Sequence, residues 1–369
     1  MRVIVTGGGT GGHIYPALAV AEGLKDKIPE VKILYVGNKD GMEARIVPEN
    51  GTDFKGISGR GLPRRLSPDM LKAGGSNLKA LWQAKQILKE FQPDLVVGTG
   101  GYVSGPVVFV AALFGIPAIL HEQNALAGVT NKMLGRVVKK ILLTFEESRK
   151  YFSHQEKIDV VGLPVRKEIG SISRQAGAAA LGIDPAKRTL LVTGGSRGAL
   201  NINKAMLEVA EKLRTREDIQ LIWATGTATY EEISKELEIR QIDRRRRGWR
   251  MTSYIRNMPE ALACSDLCIC RAGAGTLAEL SAAGRASILI PYPYAAENHQ
   301  EHNARAFADK GAAVVIKDNE LSGTLLWEQI EAILSNRFKF EEMGARARGV
   351  FPAGALSRIV EYCRETAWK

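Results

Sequence analysis

Short apolar, β-branched runs alternate along the chain with stretches whose apolar positions recur every three or four residues. RVIVT, KILYVG, DLVVGTG, PAILHE and KKILLT are the first strand candidates; PALAVAEGLKDKI, SNLKALWQAKQILKEF and PVVFVAALFG between them carry helical spacing. Strands this continuously apolar are buried on both faces, and their alternation with helices predicts parallel α/β sheets. A second series follows in LLVTGG, IQLIWATG, DLCIC, ASILIPYP and AAVVI. Residues 3–12, VIVTGGGTGG, resemble residues 190–199, LLVTGGSRGA. Each copy opens its own βα series, which reads as duplication of one fold type. The expected architecture is two Rossmann-like parallel-sheet domains facing across a cleft, residues 1–162 and 163–352. A helix within 353–369 is expected to cross back toward the first domain. Ligands in such sheets sit at the carboxyl ends of the strands.

Composition narrows the class. The chain has 369 residues, 45% hydrophobic and 25% charged, which excludes a disordered chain. It holds 38 glycines, more than the usual roughly 7% and without collagen-like period, so the excess belongs in turns and ligand loops. Four cysteines without a CxxC pair make no disulfide framework and fit a reduced, cytoplasmic compartment. The start MRVIVTGGG runs straight into a strand, and no signal peptide is expected. The uncharged residues 95–120 have the length of a membrane span but are broken by GTGGY, SGP and Gly115-Ile116-Pro117. A net charge of +11 calls for an anionic partner: nucleic acid, a membrane surface or a phosphorylated ligand.

Four glycine loops carry the candidate chemistry. Gly7-Gly8-Gly9-Thr10-Gly11-Gly12-His13 contains GxGxxG between a strand and a helix, where backbone N–H groups and the helix dipole receive an anion. The dinucleotide reading wants an acid at the end of the second strand, and Val36-Gly37-Asn38-Lys39-Asp40 fits it poorly. Gly98-Thr99-Gly100-Gly101-Tyr102 suggests a second phosphate-bearing substrate. Gly194-Gly195-Ser196-Arg197-Gly198-Ala199 suits a diphosphate. Arg271-Ala272-Gly273-Ala274-Gly275-Thr276-Leu277-Ala278-Glu279 leads into a helix with Glu279 expected in its first turn, where a carboxylate suits both hydroxyls of a ribose or, taken without the other loops, is a helix-start acid facing water. His121-Glu122-Gln123-Asn124 puts polar groups at the end of a buried strand, and Asn124 there also suits a local cap. His299-Gln300-Glu301-His302 lacks the HExxH spacing of a metal site.

GGGTGGHIYPALA, GTGGYVSGP, LHEQNALAG, PVR, GGS-GA, RAGAGTLAEL and NHQ-HNA, in this order over nearly the whole chain, resemble the MurG family. These transferases add N-acetylglucosamine to undecaprenyl-diphospho-muramoyl-pentapeptide in peptidoglycan synthesis. The resemblance implies a GT-B fold, no cofactor and no metal. It places Thr10, Gly11 and Gly12 by the sugar end of the donor and Asn124 on the N-acetylglucosamine. Arg166 and Ser196 approach the diphosphate. Ile255 meets the uracil through its backbone. Ala274, Gly275, Thr276, Leu277, Ala278 and Glu279 line the nucleotide, with Glu279 on the ribose, and Gln300 binds sugar hydroxyls. Three positions depart from the family pattern: Arg197 stands where glutamine is usual, Leu163 where asparagine precedes Pro-Val-Arg, and Arg244-Arg245-Arg246-Arg247 is unusually basic. Arg197 either adds charge near the diphosphate or points into solvent; the arginine run is expected to be a solvated loop.

The implied partners are UDP-N-acetylglucosamine, the lipid-linked muramoyl-pentapeptide and an anionic membrane surface at the cytoplasmic face, with no nucleic acid. The general base is expected at His13, whose ordinary pKa near 6.5 suits the task. Equally, His13 orders the first helix turn or holds the acceptor diphosphate, and Glu122 is the second candidate base. Residues 55–90 carry Lys55, Arg60, Arg64, Arg65, Lys72, Lys79, Lys85 and Lys89 against Asp69 and Glu90, a net +6. Leu78, Leu81 and Trp82 interleave with them, as in a lipid-docking segment or an ordinary amphipathic helix. A nicotinamide- or flavin-dependent oxidoreductase leaves the later loops and Glu279 unexplained, and a nucleic-acid-binding module lacks a recognition motif.

Overall fold

The computed structural model describes residues 1–60 and 68–368, and for 68–75 the helical backbone alone. Arg64 and Arg65 of the basic segment lie outside the described residues, and the side chains of Asp69 and Lys72 are likewise not described. The chain divides into two compact units, Met1–Pro164 together with the segment from Pro352 on, and Val165–Phe351.

Unit 1 is built on seven parallel strands: β1 (Arg2–Thr6), β2 (Lys32–Asn38), β3 (Asp53–Ile57), β4 (Leu95–Gly98), β5 (Ala118–Glu122), β6 (Lys140–Leu143) and β7 (Ile158–Val160). Their order is β3-β2-β1-β4-β5-β6-β7, with Val3 opposite Ile33 and Leu95 in register. Its α-helices are α1 (Gly11–Lys27), α2 (Glu43–Glu49), α3 (Pro68–Phe91), α4 (Ser104–Leu113) and α5 (Val129–Leu134). The apolar runs of the sequence serve both faces of this sheet. Val3, Val5, Tyr35, Leu95 and Val97 face one core with Ile14, Leu18 and Leu24 of α1. Ile4, Leu34, Val36, Val96 and Leu120 face the other, with Ala84 and Leu88 of α3 and Val107 and Ala111 of α4. Helix α1 begins at Gly11, five residues before the periodic stretch, because the glycines that follow Thr10 already take helical backbone.

Unit 2 repeats the plan with α6 (Arg174–Leu181), β8 (Arg188–Thr193), α7 (Leu200–Leu213), β9 (Ile219–Ala224), α8 (Tyr230–Ile239), β10 (Trp249–Thr252), α9 (Met258–Cys264) and β11 (Leu267–Cys270). It continues through α10 (Ala274–Ala283), β12 (Ala286–Leu289), α11 (His299–Ala308), β13 (Ala313–Val315), α12 (Gly323–Leu334) and α13 (Arg337–Arg348). The six parallel strands run β10-β9-β8-β11-β12-β13. Leu190, Val192, Trp223, Ile269 and Ile288 bury one face against α7 and α12. The alternating Cys268 and Cys270 lie buried on the opposite side of β11. Residues 244–247 are not a solvated loop. Arg244 donates to the Tyr230 hydroxyl (2.9 Å) and Ser234 Oγ (3.2 Å), and Arg246 Nη1 donates to the carbonyls of Leu213 (3.0 Å) and Arg214 (2.9 Å) at the end of α7. Arg245 and Arg247 are exposed. Exposure alternates along the run, so every second guanidinium satisfies helix-end carbonyls or hydroxyls.

The last helix, α14 (Ala355–Ala367), belongs to unit 1. Ile359, Val360 and Cys363 are buried in the core that α1 shares with the sheet, and burial pushes the Cys363 thiol up to about 12. A Cβ on Gly23 of α1 would stand 2.7 Å from Leu356 Cδ1, so glycine sets how closely α14 approaches. Ile359→Ala should therefore destabilise unit 1 by about 3 kcal/mol, the cost of a buried cavity. A urea titration followed by the far-ultraviolet signal reads this as a lower midpoint at unchanged slope; a loss below about 1 kcal/mol would contradict this packing.

Candidate functional site

In unit 2 the loops after β8 and β11 open a cleft of about 930 Å3. Of the residues singled out in the sequence, Arg166, Ser196, Ile255, Thr276, Glu279 and Gln300 line it. Ala274, Gly275, Leu277 and Ala278 do not, and Leu277 and Ala278 are buried under the helix. Glu279 stands in the second turn of α10, not the first, because the helix begins at Ala274 with Gly273 as its cap residue. One turn deeper, Glu279 faces the cleft instead of water.

The loop after β8 is shaped by two glycines in the left-handed region, Gly195 (φ 88°) and Gly198 (φ 87°). A Cβ on Gly198 would lie 2.1 Å from the Thr225 carbonyl oxygen, so no other residue fits. The Thr227 N–H and hydroxyl each donate to the Ser196 carbonyl at 3.3 Å, which holds Ser196 at the rim. Arg197 is exposed and lines the cleft. Helices α7 and α10 start here without a side-chain cap, so their dipoles and first N–H groups favour an anion.

Polar groups line the cleft. Arg166 Nη2 donates to Glu279 Oε1 at 3.1 Å. Burial raises the Glu279 carboxyl above its ordinary 4.5, and the neighbouring guanidinium opposes the shift. Gln300 Oε1 accepts from the backbone N–H of Ala272 (3.2 Å) and Tyr292 (3.0 Å). Its carbonyl is therefore spent on clamping two loops, which leaves the amide N–H groups as donors. Arg271 fixes the same region by donating to Asp318 Oδ1 (2.5 Å) and to the carbonyls of Ile290 (3.1 Å) and Pro291 (3.2 Å). The Arg271–Asp318 pair escaped the sequence reading because 47 residues separate the partners.

In unit 1 the first two glycine loops touch. Gly8 N–H donates to the Gly100 carbonyl at 3.4 Å, and a Cβ on Gly101 (φ 80°) would lie 2.2 Å from the Gly8 oxygen. Glu43, fully buried, braces the first loop: it accepts from Asn38 N–H (2.9 Å) and Gly9 N–H (3.4 Å). A carboxyl that already takes the Gly9 N–H is a poor neighbour for a cofactor pyrophosphate. Asn38 donates to the Gly59 carbonyl (2.9 Å) and the Tyr102 hydroxyl (2.8 Å), so the end of β2 offers no acid to a ribose. Thr10 and Gly12 are exposed, Gly11 and His13 half-buried. The His13 Nδ1 sits 2.9 Å from both the Thr99 carbonyl oxygen and Gln123 Oε1.

Glu122 is a brace as well. Its Oε1 accepts from Asn124 N–H (3.0 Å) and Nδ2 (3.4 Å), its Oε2 from Gly128 N–H (3.0 Å) and Asn131 Nδ2 (2.8 Å). Four donors occupy this carboxyl. Asn124 is held by Glu122, and Gly128, not Asn124, precedes α5.

The chain matches the glycosyltransferase family 28 N-terminal domain over residues 3–143 and the C-terminal domain of that family over residues 189–358. It is 58% identical, over the full length of both chains, to the UDP-N-acetylglucosamine–N-acetylmuramyl-(pentapeptide) pyrophosphoryl-undecaprenol N-acetylglucosamine transferase of Desulfitobacterium hafniense strain Y51. The chain belongs to the MurG family. The enzyme of the same name from Desulforamulus reducens is 48% identical, over 98% of this chain and 97% of its own. The crystal structure of Acinetobacter baumannii MurG superposes with a TM-score of 0.79 at 29% identity, covering 99% of each chain. The two all-parallel sheets are thus those of a MurG-type GT-B glycosyltransferase.

Glu279 yields a prediction with a definite sign. Its folded pKa lies above the unfolded one, so its contribution to stability is present below the ordinary carboxyl pKa and is lost as pH rises through the folded value. Glu279→Gln removes that loss. The unliganded variant should be more stable than the wild type at pH 8, with the difference gone near pH 4. Urea midpoints at the two pH values decide it; a variant less stable at pH 8 would show that the Arg166 contact outweighs desolvation.

Proposed function

We propose that the protein transfers N-acetylglucosamine from UDP-N-acetylglucosamine to the 4-hydroxyl of the muramoyl sugar of undecaprenyl-diphospho-muramoyl-pentapeptide, with inversion at the anomeric carbon. The observation that carries the donor side is the unit 2 cleft. It joins two uncapped helix N-termini, Arg166 and the buried Glu279 carboxyl in one space sized for a nucleotide sugar. Ser196 and Arg166 hold the diphosphate and Glu279 accepts from the ribose hydroxyls. The Ile255 backbone meets the uracil, and the Gln300 amide donates to the sugar. Ala274, Gly275, Leu277 and Ala278 act through the helix turn they form. Thr10, Gly11, Gly12 and Asn124 attend the transferred sugar.

In the reaction the acceptor oxygen forms a bond to the anomeric carbon as the bond to the UDP oxygen breaks. The acceptor proton passes to His13. With its four donors in place, Glu122 shapes the Asn124 loop and leaves the base role to His13. Charge developing on the leaving diphosphate is met by the helix dipoles and Arg166.

The thermal shift of the metal-free protein with nucleotides tests the donor assignment. UDP and UDP-N-acetylglucosamine at a hundred times their dissociation constants should stabilise by roughly 2.7 kcal/mol, and NADH and NADPH should not. Glu279→Gln should weaken UDP binding about ten- to a hundredfold, since a charged acceptor is lost. A shift with the nicotinamides alone would overturn the transferase assignment.

The acceptor lipid places the protein on the cytoplasmic face of a bacterial cell membrane. Among the described residues no helix is long and apolar enough to cross one. Three neighbouring helices expose large apolar side chains instead: Leu78 and Trp82 on α3, Phe109 and Leu113 on α4, and Met133 on α5. Lys79, Lys85 and Lys89 are exposed along α3, whereas Leu81 packs inward on the core and is not part of this surface. Apolar side chains ringed by lysines suit an anionic bilayer. Lys79→Glu combined with Trp82→Ser should abolish sedimentation with anionic liposomes while UDP binding persists; unchanged sedimentation would reject this docking face.

A further inference from the structure

Behind His13 runs a buried polar chain whose hydrogen-bond directions are fixed from its far end. His121 Nε2 lies 2.9 Å from the Gly162 carbonyl oxygen, which only accepts, so this nitrogen carries the proton and Nδ1 the lone pair. Gln123 Nε2 lies 3.0 Å from that Nδ1 and 2.7 Å from the His121 carbonyl oxygen, and both need a donor. A reversed amide would oppose two oxygens at 2.7 Å. The Gln123 Oε1 must therefore face His13 Nδ1, which it meets at 2.9 Å beside the Thr99 carbonyl. Two acceptors at one ring nitrogen require that it bear the proton. His121 and Gln123 are 0% and 1% exposed, so water does not substitute for these partners. Burial holds the His121 pKa down to about 4 and keeps the ring neutral at working pH.

We infer that Gln123, oriented by His121, is a positioning residue that holds His13 in its Nδ1–H tautomer and leaves Nε2 as the lone pair that accepts the proton. Its effect on rate rests on the proposed role of His13 as base; its effect on the tautomer does not. Titratable groups on the surrounding elements include Tyr15 on α1, Tyr35 on β2, Glu43 on α2, Tyr102 after β4, Glu122 on β5 and Lys132 on α5. Tyr35 donates to the Gly7 carbonyl at 2.7 Å and burial raises its pKa, while Glu43 and Glu122 are held by N–H donors.

Ring-15N-histidine labelling of the full chain, with Gln123→Met as a near-isosteric variant, reads the tautomer directly. Wild-type His13 should show a protonated Nδ1 and an unprotonated Nε2. In Gln123→Met the Thr99 carbonyl stays as the one acceptor at Nδ1, so the Nδ1–H share should fall and both nitrogens should move part of the way toward averaged shifts, and the His13 titration should move to lower pH, because the imidazolium has lost an acceptor. The acid limb of kcat should move with it, kcat should fall about tenfold, and KM for UDP-N-acetylglucosamine should stay within about twofold. His121→Phe, which removes only the far partner, should move the His13 shifts in the same direction. A wild-type Nε2–H tautomer, or His13 shifts and titration unchanged in Gln123→Met, would overturn the inference. Moved shifts with full turnover in His13→Asn would uphold the positioning and remove His13 as the base.

Discussion

Parallel pairing is the constraint from which the rest follows. Each parallel strand must be reached by a crossover, so every turn from strand to helix falls on the same edge of its sheet. Both faces are covered by helices, so most strand positions are apolar and buried polar side chains such as Gln220 and Ser287 are the minority. Chemistry is confined to the carboxyl edge, and there the chain needs residues that tolerate left-handed backbone and close approach. Gly101 against the Gly8 carbonyl and Gly198 against the Thr225 carbonyl are such places, where a single methyl group would push neighbouring loops apart. The Glu43 brace, the Gln300 clamp and the His13–Gln123–His121 chain all stand on those edges.

Carboxyl groups play two different roles on them. Glu43 and Glu122 are buried and closed by backbone and amide N–H donors, so they hold loops in shape. Glu279 has one guanidinium contact and an open side, which leaves acceptor capacity for a ligand. The same residue type is closed scaffold in one setting and keeps open acceptor positions in the other, decided by how many donors its oxygens already have. Gln123 and Gln300 show the corresponding economy for amides. One end of each is spent on the protein and dictates what the other end presents.

Much of the fold was legible because buried parallel strands are apolar without interruption. RVIVT, KILYVG and ASIL announce themselves by composition. Strands β3 and β7 did not, since edge strands pair on one side only: DFKGI and IDV are too polar and too short to stand out. Helix starts were blurred by glycine. The Gly11-Gly12 opening of α1 gives no apolar spacing, and Gly273 before α10 shifted Glu279 by a turn. The arginine run looked solvated because sequence shows four charges but not the helix-end carbonyls of Leu213 and Arg214 that receive one of them. His121 and Gln123 carried only the weak signal of polar residues ending an apolar strand, and Gln123 lies 110 residues along the chain from its partner His13.

The likeness between residues 3–12 and 190–199 marks where the units agree and where they diverge. Both segments end a central strand in VTGG and start a helix. Beneath the first loop lies Glu43, which takes the Gly9 N–H and sets a carboxyl under the glycines. Beneath the third lie Thr227, which holds the Ser196 carbonyl, and Gly226, packed against Gly198, and neither brings a charge. A glycine loop gives the backbone access to a ligand; the side chains packed under it decide whether that ligand can be an anion. One strand–loop–helix design, used twice, thus leaves an uncapped helix start open to the cleft in unit 2 and, in unit 1, a loop braced from below by a carboxyl.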